Sequence, residues 1–262
     1  MFEAFINSMT RTTDGAFSNT ALDHYFRAMS ELQARVVEGQ RAKLLEAAEH
    51  MAATTRRDQR IFLFGTGHSH LIAEEGFYRA GGLANIVPML TEHVMLHHLP
   101  SLGSRLERTP ALADMILERY APQPGEMLFV FSNSGVNQLP VEMVLRARER
   151  GLFVVGVSSF AYAKQAPLSE LGLRLDQSAD LALDNGGVPG DANLELANFP
   201  WRVAPTSTVI CTLLWNCLVA ETARLLLESG IEPPIFVSLN VSGAGQHNQA
   251  LLEKWRPRNI HL

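Results

Sequence analysis

IFLFGTGHSHLIAEE, residues 61–75, is the stretch that decides the fold. It begins with four consecutive apolar residues, a run typical of a strand covered on both faces, as in a parallel sheet. Gly65 and Gly67 follow, and glycines let the backbone turn sharply and approach a ligand without a Cβ in the way. The polar residues after them open a helix, whose free N–H groups favour anions. We therefore expect a strand, a glycine turn (residues 65–69, the first turn) and a helix that together form part of a ligand site.

A second polar turn follows a second apolar run. Residues 127–131, MLFVF, predict a strand, and SNSG at residues 132–135, the second turn, comes directly after it. Two hydroxyls and an amide at the carboxyl end of a parallel strand, opening a helix, suit a phosphate group. Asn137 and Gln138 add polar groups at the helix entrance. The alternative is that these side chains only cap the helix, but two such turns in one sheet favour a ligand site.

Strand and helix patterns alternate along the rest of the chain. Further strands are predicted at 86–90, 153–157 and 181–183, and helices at 70–80, 110–120, 138–150, 206–227 and 250–255. This alternation is the signature of a parallel sheet built from βαβ units. Residues 91–109 are interpreted as an irregular insertion, residues 184–205 as a mobile lid and residues 235–239 as a last extended segment.

A helical pattern precedes the first strand and predicts either one bent helix or two. Acidic and basic residues are balanced as far as Arg60, which argues against a DNA-binding headpiece and favours an arm that packs on the domain or on a second subunit. We find no repeat and no linker. We therefore expect one domain over residues 1–262, composed of a helical arm (1–59), a parallel α/β core (60–230) and a C-terminal tail (231–262).

Composition limits the location and the partners of the protein. The formal net charge of −5 excludes a general nucleic-acid footprint. We expect no apolar run near the roughly 20 residues of a membrane helix, and the N-terminus lacks the pattern of a secretory signal. The two cysteines, Cys211 and Cys217, lie in one apolar helical pattern and are interpreted as buried structural thiols. A cytoplasmic protein without nucleic-acid or membrane partners is expected.

FLFGTGHSH and FVFSNSGVNQLPVE together resemble the sugar isomerase (SIS) domain. The resemblance covers residues 60–220 and implies a three-layer α/β sandwich around a central five-stranded parallel sheet. It also implies binding of phosphorylated sugars, and homodimers or homotetramers with sites near subunit contacts. Within the family, the chain is most similar to a bacterial group of single-domain SIS proteins, through GTGHSHLIAEEGFYRAGG, APTSTV and SLNVSGAGQHNQALLEKW.

The resemblance assigns roles to residues of both turns. It implies phosphate binding by Ser132, Asn133 and Ser134, while Asn137 stands where the family motif has a threonine. His68, inside the first turn, is a further candidate for substrate contact. Contacts with sugar hydroxyls are implied for four other residues of the first turn: Gly65, Thr66, Gly67 and Ser69.

The catalytic residues of the family do not transfer directly. In phosphoheptose isomerases and muramic acid phosphate etherases, a catalytic glutamate lies ten residues after the first-turn serine, and that position here is Arg79. Glu75, one helical turn earlier, is the candidate base; alternatively it is a surface carboxylate paired with Arg79. Arg79 is itself a candidate phosphate contact. His247 is the candidate ring-opening acid, acting across a subunit boundary; alternatively it caps the last helix.

An aldose–ketose isomerase of sugar phosphates is the leading hypothesis, with a carboxylate base and an enediol. That chemistry requires no cofactor and no metal. The alternatives are an etherase or lyase acting on a sugar phosphate, and a non-catalytic regulator that binds one. A cluster of His93, His97 and His98 lacks the carboxylate or cysteine spacing of a metal site and is interpreted as a polar loop or interface.

Overall fold

Five parallel strands form the central sheet of the computed structural model, which describes residues 20–262. Their order is β2-β1-β3-β4-β5, so the chain adds strands first on one side of β1 and then on the other. The bounds are β1 Ile61–Gly65, β2 Ile86–Pro88, β3 Met127–Phe131, β4 Phe153–Ser158 and β5 Leu181–Asp184. The predicted parallel α/β sheet is confirmed, and its order reverses between β1 and β3.

Ten α-helices in this part of the chain pack mainly on the two faces of the sheet. They are α1 Ala21–Gly39, α2 Arg41–Arg56, α3 His70–Gly76, α4 Pro100–Leu106, α5 Leu112–Tyr120, α6 Gln138–Glu149, α7 Phe160–Gln165, α8 Leu175–Ser178, α9 Ser207–Glu228 and α10 Ala244–Trp255. Successive side chains of a strand point to opposite faces. Ile61 and Leu63 therefore join a core with α1–α3 and α9, while Phe62 and Phe64 join another with α5, α6 and α8.

The N-terminal helical pattern forms two helices rather than one bent helix. Thr20 and Asp23 form a capping box at the start of α1, a reciprocal bond pair that satisfies free N–H groups. Met29, Leu32 and Val36 of α1 are buried in the core with the sheet. The arm therefore packs on its own domain, and the first nineteen residues of the predicted arm lie outside the described residues.

The helix after the first turn is shorter than predicted. It ends at Gly76 instead of residue 80, and at this point Trp215 of α9 packs closely against it. A Cβ on Gly76 would overlap Leu63 and lie 2.9 Å from the Trp215 indole nitrogen. The chain leaves the helix in an extended conformation at Phe77 and a left-handed one at Tyr78, where φ is 43°.

The segments predicted as an irregular insertion, a mobile lid and a last extended segment contain further structure. Residues 91–109 contain α4, and residues 184–205 contain an antiparallel hairpin of β6 Ala192–Leu194 and β7 Val203–Pro205. Asp191 holds this hairpin to the start of α9, because its carboxylate accepts bonds from the Ser207 amide (2.9 Å) and hydroxyl (2.6 Å). Residues 235–239 form only a bridge between Ile235 and Leu83, and α10 begins six residues before the predicted start at residue 250.

The helix α9 is a core helix. Among residues 20–262 it alone is long and apolar enough to cross a membrane, contrary to the expectation from the sequence. Its apolar face is nevertheless buried, with Trp215 and Leu218 in the core. Cys211 is buried too, and burial raises the pKa of its thiol to about 12, which fits an unreactive structural cysteine. Cys217 is half-buried.

Candidate functional site

The two polar turns leave the sheet side by side. Strands β1 and β3 are hydrogen-bonded neighbours, and their register pairs Gly65 with Phe131, the last residue of each strand. The next residues, Thr66 and Ser132, therefore begin the two turns at the same carboxyl edge. This edge lies where the strand order reverses, the usual ligand position in open α/β sheets.

The two glycines of the first turn stand there for different structural reasons. A Cβ on Gly65 would overlap the backbone of Ser69, so the turn itself requires glycine there. Gly67 has a φ of +53°, and apart from its two chain neighbours no residue places an atom within 4 Å of the position its Cβ would take. The turn is closed by a bond from the Ser69 amide to the Thr66 carbonyl (3.0 Å). The Gly67 backbone therefore borders open space, and a ligand has access to it.

The three polar residues of the second turn have different surroundings. Ser132 is buried, and its hydroxyl accepts a bond from the Gly135 amide (3.3 Å), so it stabilises the turn from within. The carboxamide oxygen of Asn133 accepts a bond from Asn185 (2.9 Å) beyond β5. Ser134 instead lines a cavity. The side chains of Ser132 and Asn133 thus support the turn, and that of Ser134 is open to a ligand.

A cavity of about 790 Å³ lies beside the second turn, within the range of small-molecule sites. One wall is formed by Ser134, Asn137 and Gln138, at the entrance of α6. A second wall is formed by Glu107 and Arg108, which follow α4. The remaining wall is α7 and the loop after it. Polar and charged groups thus converge on a cavity at the N-terminal end of a helix.

Glu107 connects the two turns, and the sequence reasoning missed it. Its carboxylate accepts a bond from the Thr66 hydroxyl in the first turn (2.9 Å). Its main-chain carbonyl accepts a bond from the Leu139 amide at the N-terminal end of α6 (2.9 Å). The other carboxylate oxygen lies 3.0 Å from Arg108. No local pattern marks this residue, because Thr66 lies 41 residues away in the chain and residues 91–109 carry no clear periodicity.

Glu75 and Arg79 pair with each other on the α9 side of α3. Their ion pair joins positions i and i+4, as the surface-pair alternative expects. The Glu75 carboxylate also accepts a bond from the Asn216 side chain of α9 (3.3 Å). Neither residue is among those that line the cavity. The assignment of Glu75 as the base, and of Arg79 as a phosphate contact, stays a prediction.

The predicted histidines lie in separate places. His247 is half-buried on α10, where its Nε2 is 2.8 Å from the Ile235 carbonyl. Since a carbonyl only accepts, this nitrogen donates the bond and ties α10 to the segment that pairs with Leu83. His68 is exposed in the first turn, whereas His70 is buried with its ring against the Gly67 carbonyl. The roles predicted for His247 and His68 stay predictions.

The histidine cluster pairs through its rings. The ring centroids of His93 and His98 are 4.8 Å apart, and those of His97 and the buried His70 are 6.4 Å apart. Across residues 20–262, no three or more His, Cys, Asp or Glu side chains are grouped to hold a metal ion. His93 also borders an apolar cavity of about 340 Å³ between α4 and α5.

Comparison with known sequences gives matches over most of the chain. The sequence profile described as "SIS domain" matches residues 24–159. A UPF0309 protein of Halalkalibacterium halodurans is 41% identical over 235 residues, which are 89% of this chain and 94% of the relative. A UPF0309 protein of Brucella canis is 39% identical over 254 residues, which are 97% of this chain and 100% of the relative.

Solved structures share the fold at low sequence identity. The phosphoheptose isomerase of Neisseria gonorrhoeae superposes with a TM-score of 0.52 at 19% identity, over 78% of this chain and 97% of that one. A phosphoheptose isomerase of Francisella tularensis superposes with a TM-score of 0.53 at 15% identity, over 78% and 99%. At these identities the likeness establishes the common architecture of the sheet and its helices.

Proposed function

Because the chain belongs to the SIS domain family, we propose that it binds a phosphorylated sugar beside the second turn and interconverts its aldose and ketose forms. The observation that carries the proposal is the cavity of about 790 Å³ at the entrance of α6. It borders the point where the strand order reverses, and a helix N-terminus there favours an anion. The two structural neighbours are both phosphoheptose isomerases, which supports the same class of substrate.

The phosphate end of the ligand is proposed to lie against the entrance of α6. Asn137 is the N-cap of this helix and makes no side-chain capping bond, so its side-chain carboxamide remains for a ligand. The main-chain N–H of Leu139 donates to Glu107. The main-chain N–H of Gln138, at the start of the same helix, remains for the ligand. Ser134 contributes a hydroxyl, and Arg108 contributes a positive charge at the cavity wall. These groups match the oxygen atoms and the charge of a phosphate.

The sugar end is proposed to reach the first turn, where His68 and Ser69 supply polar groups and Gly67 leaves the backbone open. Isomerisation then removes the proton on C2 of the open-chain aldose and returns one to C1 through an enediol. A base for this step must lie within hydrogen-bond reach of that proton, directly or through one water. The reaction needs a carboxylate and no cofactor. An etherase or lyase would begin with the same proton removal, and a regulator would bind without it.

A thermal-shift screen tests the binding proposal. Glucose 6-phosphate, fructose 6-phosphate and arabinose 5-phosphate are compared with the free sugars and with inorganic phosphate. A ligand at a hundredfold its Kd adds about 2.7 kcal/mol, or about 5 °C at roughly 2 °C per kcal/mol for a chain of this length. Stabilisation by sugar phosphates, and none by the free sugars, is the expected result. No shift with any sugar phosphate would contradict the proposal.

The variant Ser134→Ala locates the phosphate. Loss of one charge-assisted hydrogen bond is worth about 1.5–3 kcal/mol, so the Kd should rise roughly 10- to 150-fold. Ser30→Ala is the matched control, because the Ser30 hydroxyl bonds a carbonyl of its own helix α1. Ser132→Ala should instead lower stability by about 1 kcal/mol, since its hydroxyl accepts a bond within the turn. Unchanged affinity in Ser134→Ala would exclude the proposed phosphate position.

A further inference from the structure

We propose that Glu107 is the carboxylate that moves the proton in this reaction, and that Thr66 holds it in position. The inference rests on the proposed function, because a base has a role only if the cavity holds a substrate with an acidic C–H bond. It assigns the chemistry to a residue between the two turns instead of to the helix that follows the first turn.

The main chain fixes Glu107 relative to both turns. It directly follows α4, and its carbonyl accepts the Leu139 amide at 2.9 Å. That amide lies at the N-terminal end of α6, where N–H groups have no partner within the helix. The bond therefore joins the end of α4 to the helix that opens beside the second turn. Glu107 and Ser134 border the same cavity as a result.

The side chain of Glu107 is held in an orientation suited to a base. Its side chain is only 16% exposed, and one carboxylate oxygen accepts the hydroxyl of the buried Thr66 at 2.9 Å. The other oxygen lies 3.0 Å from Arg108, so both contacts hold the carboxylate in one orientation beside the cavity. Thr66 belongs to the turn proposed to hold the sugar, so the carboxylate lies between the two ends of the proposed ligand.

Each of three other carboxylates in this region lacks burial, a place in the cavity wall or a contact with the first turn. Both oxygens of the buried Glu142 accept the Ala111 amide, and one also accepts the Gln138 side chain (3.0 Å). Glu75 pairs with Arg79 and accepts a bond from α9. Glu170 borders the cavity from the loop after α7 but is exposed. Glu107 alone among these four is largely buried, lines the cavity and contacts the first turn.

The proposed step is balanced without an external reactant. Glu107 takes the proton from C2 of the open-chain aldose, the C2–H electron pair forms the C1=C2 bond, and the carbonyl pair moves to O1. The protonated carboxyl group then returns a proton to C1 as the C1=C2 pair forms the new C1–H bond. The hydroxyl proton of O2 passes to O1, directly or through water, and C2=O forms. The carboxylate is regenerated, and nothing is oxidised or reduced overall.

Exchange in D₂O tests the assignment. Wild type and Glu107→Gln are incubated separately with glucose 6-phosphate, fructose 6-phosphate and arabinose 5-phosphate, and proton NMR follows deuterium uptake at C1 and C2. The variant keeps an amide oxygen that can accept the Thr66 bond, so the fold and the ligand-induced thermal shift should persist. Exchange should fall by roughly a hundredfold or more, the usual contribution of a general base. Glu149→Gln, which removes a surface carboxylate 2.8 Å from Arg146 on α6, is the matched control.

The positioning role of Thr66 has its own variants. Thr66→Val removes the hydroxyl at nearly constant volume and should slow exchange with little change in ligand affinity. Thr66→Ser restores the hydroxyl and should restore exchange, which a purely steric role would not explain. An exchange rate in Thr66→Val equal to that of wild type would overturn the positioning role of Thr66.

The outcomes separate the base assignment from the function. Wild-type exchange that persists in Glu107→Gln, or that is lost in Glu75→Gln instead, overturns the assignment of Glu107 and leaves the isomerase proposal standing. Binding of the sugar phosphates by the wild type without any exchange overturns both catalysis and the base, and leaves a sugar-phosphate sensor. Absence of binding overturns the proposed function itself, and with it the role of Glu107.

Discussion

The buried ion pair between Arg60 and Glu126 allows a stability prediction that can be worked out from its contacts. The pair lies at the edge of the sheet opposite the two turns, because Arg60 precedes β1 and Glu126 precedes β3. The two side chains are 10% and 4% exposed. Four donors converge on the carboxylate: the Arg60 amide, Nε and Nη2, and the Gln123 amide, at 3.1, 2.7, 2.8 and 2.7 Å. We predict that Glu126→Gln strongly destabilises the fold.

The magnitude follows from what the amide can still accept. The amide oxygen can keep the two bonds made to one carboxylate oxygen. The amide nitrogen then faces the Arg60 Nη2 and the Gln123 amide, which are both donors, so two charge-assisted bonds are lost. At about 1.5–3 kcal/mol each the loss is about 3–6 kcal/mol, in line with the about 3–5 kcal/mol for breaking a buried pair. The expected fall in Tm is about 6–12 °C at roughly 2 °C per kcal/mol.

Urea and thermal unfolding of Glu126→Gln and Glu221→Gln provide the measurement. Glu221 pairs with Arg224 on the surface of α9, where the side chains are 24% and 50% exposed. Such a pair contributes less than about 1 kcal/mol, so the control should lose less than about 2 °C. Glu126→Gln should retain its ligand-induced shift, since the pair is remote from the cavity. A loss in Glu126→Gln no larger than in Glu221→Gln would refute the reasoning.

Three further predictions concern packing, pH and assembly. Gly65→Ala should cost about 1–3 kcal/mol in urea unfolding because its Cβ overlaps the Ser69 backbone, while Gly39→Ala, with no atom near its Cβ, should not; equal stability of the two variants would contradict this. Burial first, and Arg119 second, lower the pKa of His261, whose ring contacts the Tyr120 hydroxyl at 2.9 Å. The contribution of His261 to the free energy of unfolding should be complete above the unfolded pKa of about 6.5 and lost as pH falls through the lowered folded pKa. The difference in urea midpoint between wild type and His261→Gln should therefore shrink from pH 7.5 to 5.5. A difference that grows over this range would contradict the prediction. Exposed apolar side chains on α1, α2 and α9, namely Leu22, Phe26, Leu45, Val209 and Leu227, favour a homodimer or a larger closed oligomer, and sedimentation velocity showing a monomer at micromolar concentration would refute it.

The elements that depend on local sequence were predictable. Residues 127–131 are a continuous apolar run, and the strand Met127–Phe131 has those bounds. Glycines and polar residues after β1 and β3 marked both turns, because turn chemistry is set by nearby residues. The packing at the end of α3 was not predictable in this way, because Trp215 approaches Gly76 from a helix more than a hundred residues later.

The candidate site was predictable only as a region. The second turn was identified by its serines, but nothing in SNSG distinguishes Ser132, bonded to Gly135, from Ser134, which lines the cavity. The helical spacing after the first turn favours Glu75 as a base, and this assignment stays a prediction. The sequence does not show that its carboxylate contacts Arg79 and Asn216, because the rotation of α3 is fixed by its packing on α9.

The sequence by itself therefore determined the strands, the polar turns that follow them and the α/β class, because each depends on residues close together in the chain. Only the tertiary structure decided the reversal of strand order between β1 and β3 and the wall that closes the cavity. It brought Glu107 to Thr66 across 41 residues of chain and joined the end of α4 to α6 through the bond from the Leu139 amide to the Glu107 carbonyl. Contacts of this kind are set by the packing of whole elements, and no local pattern records them.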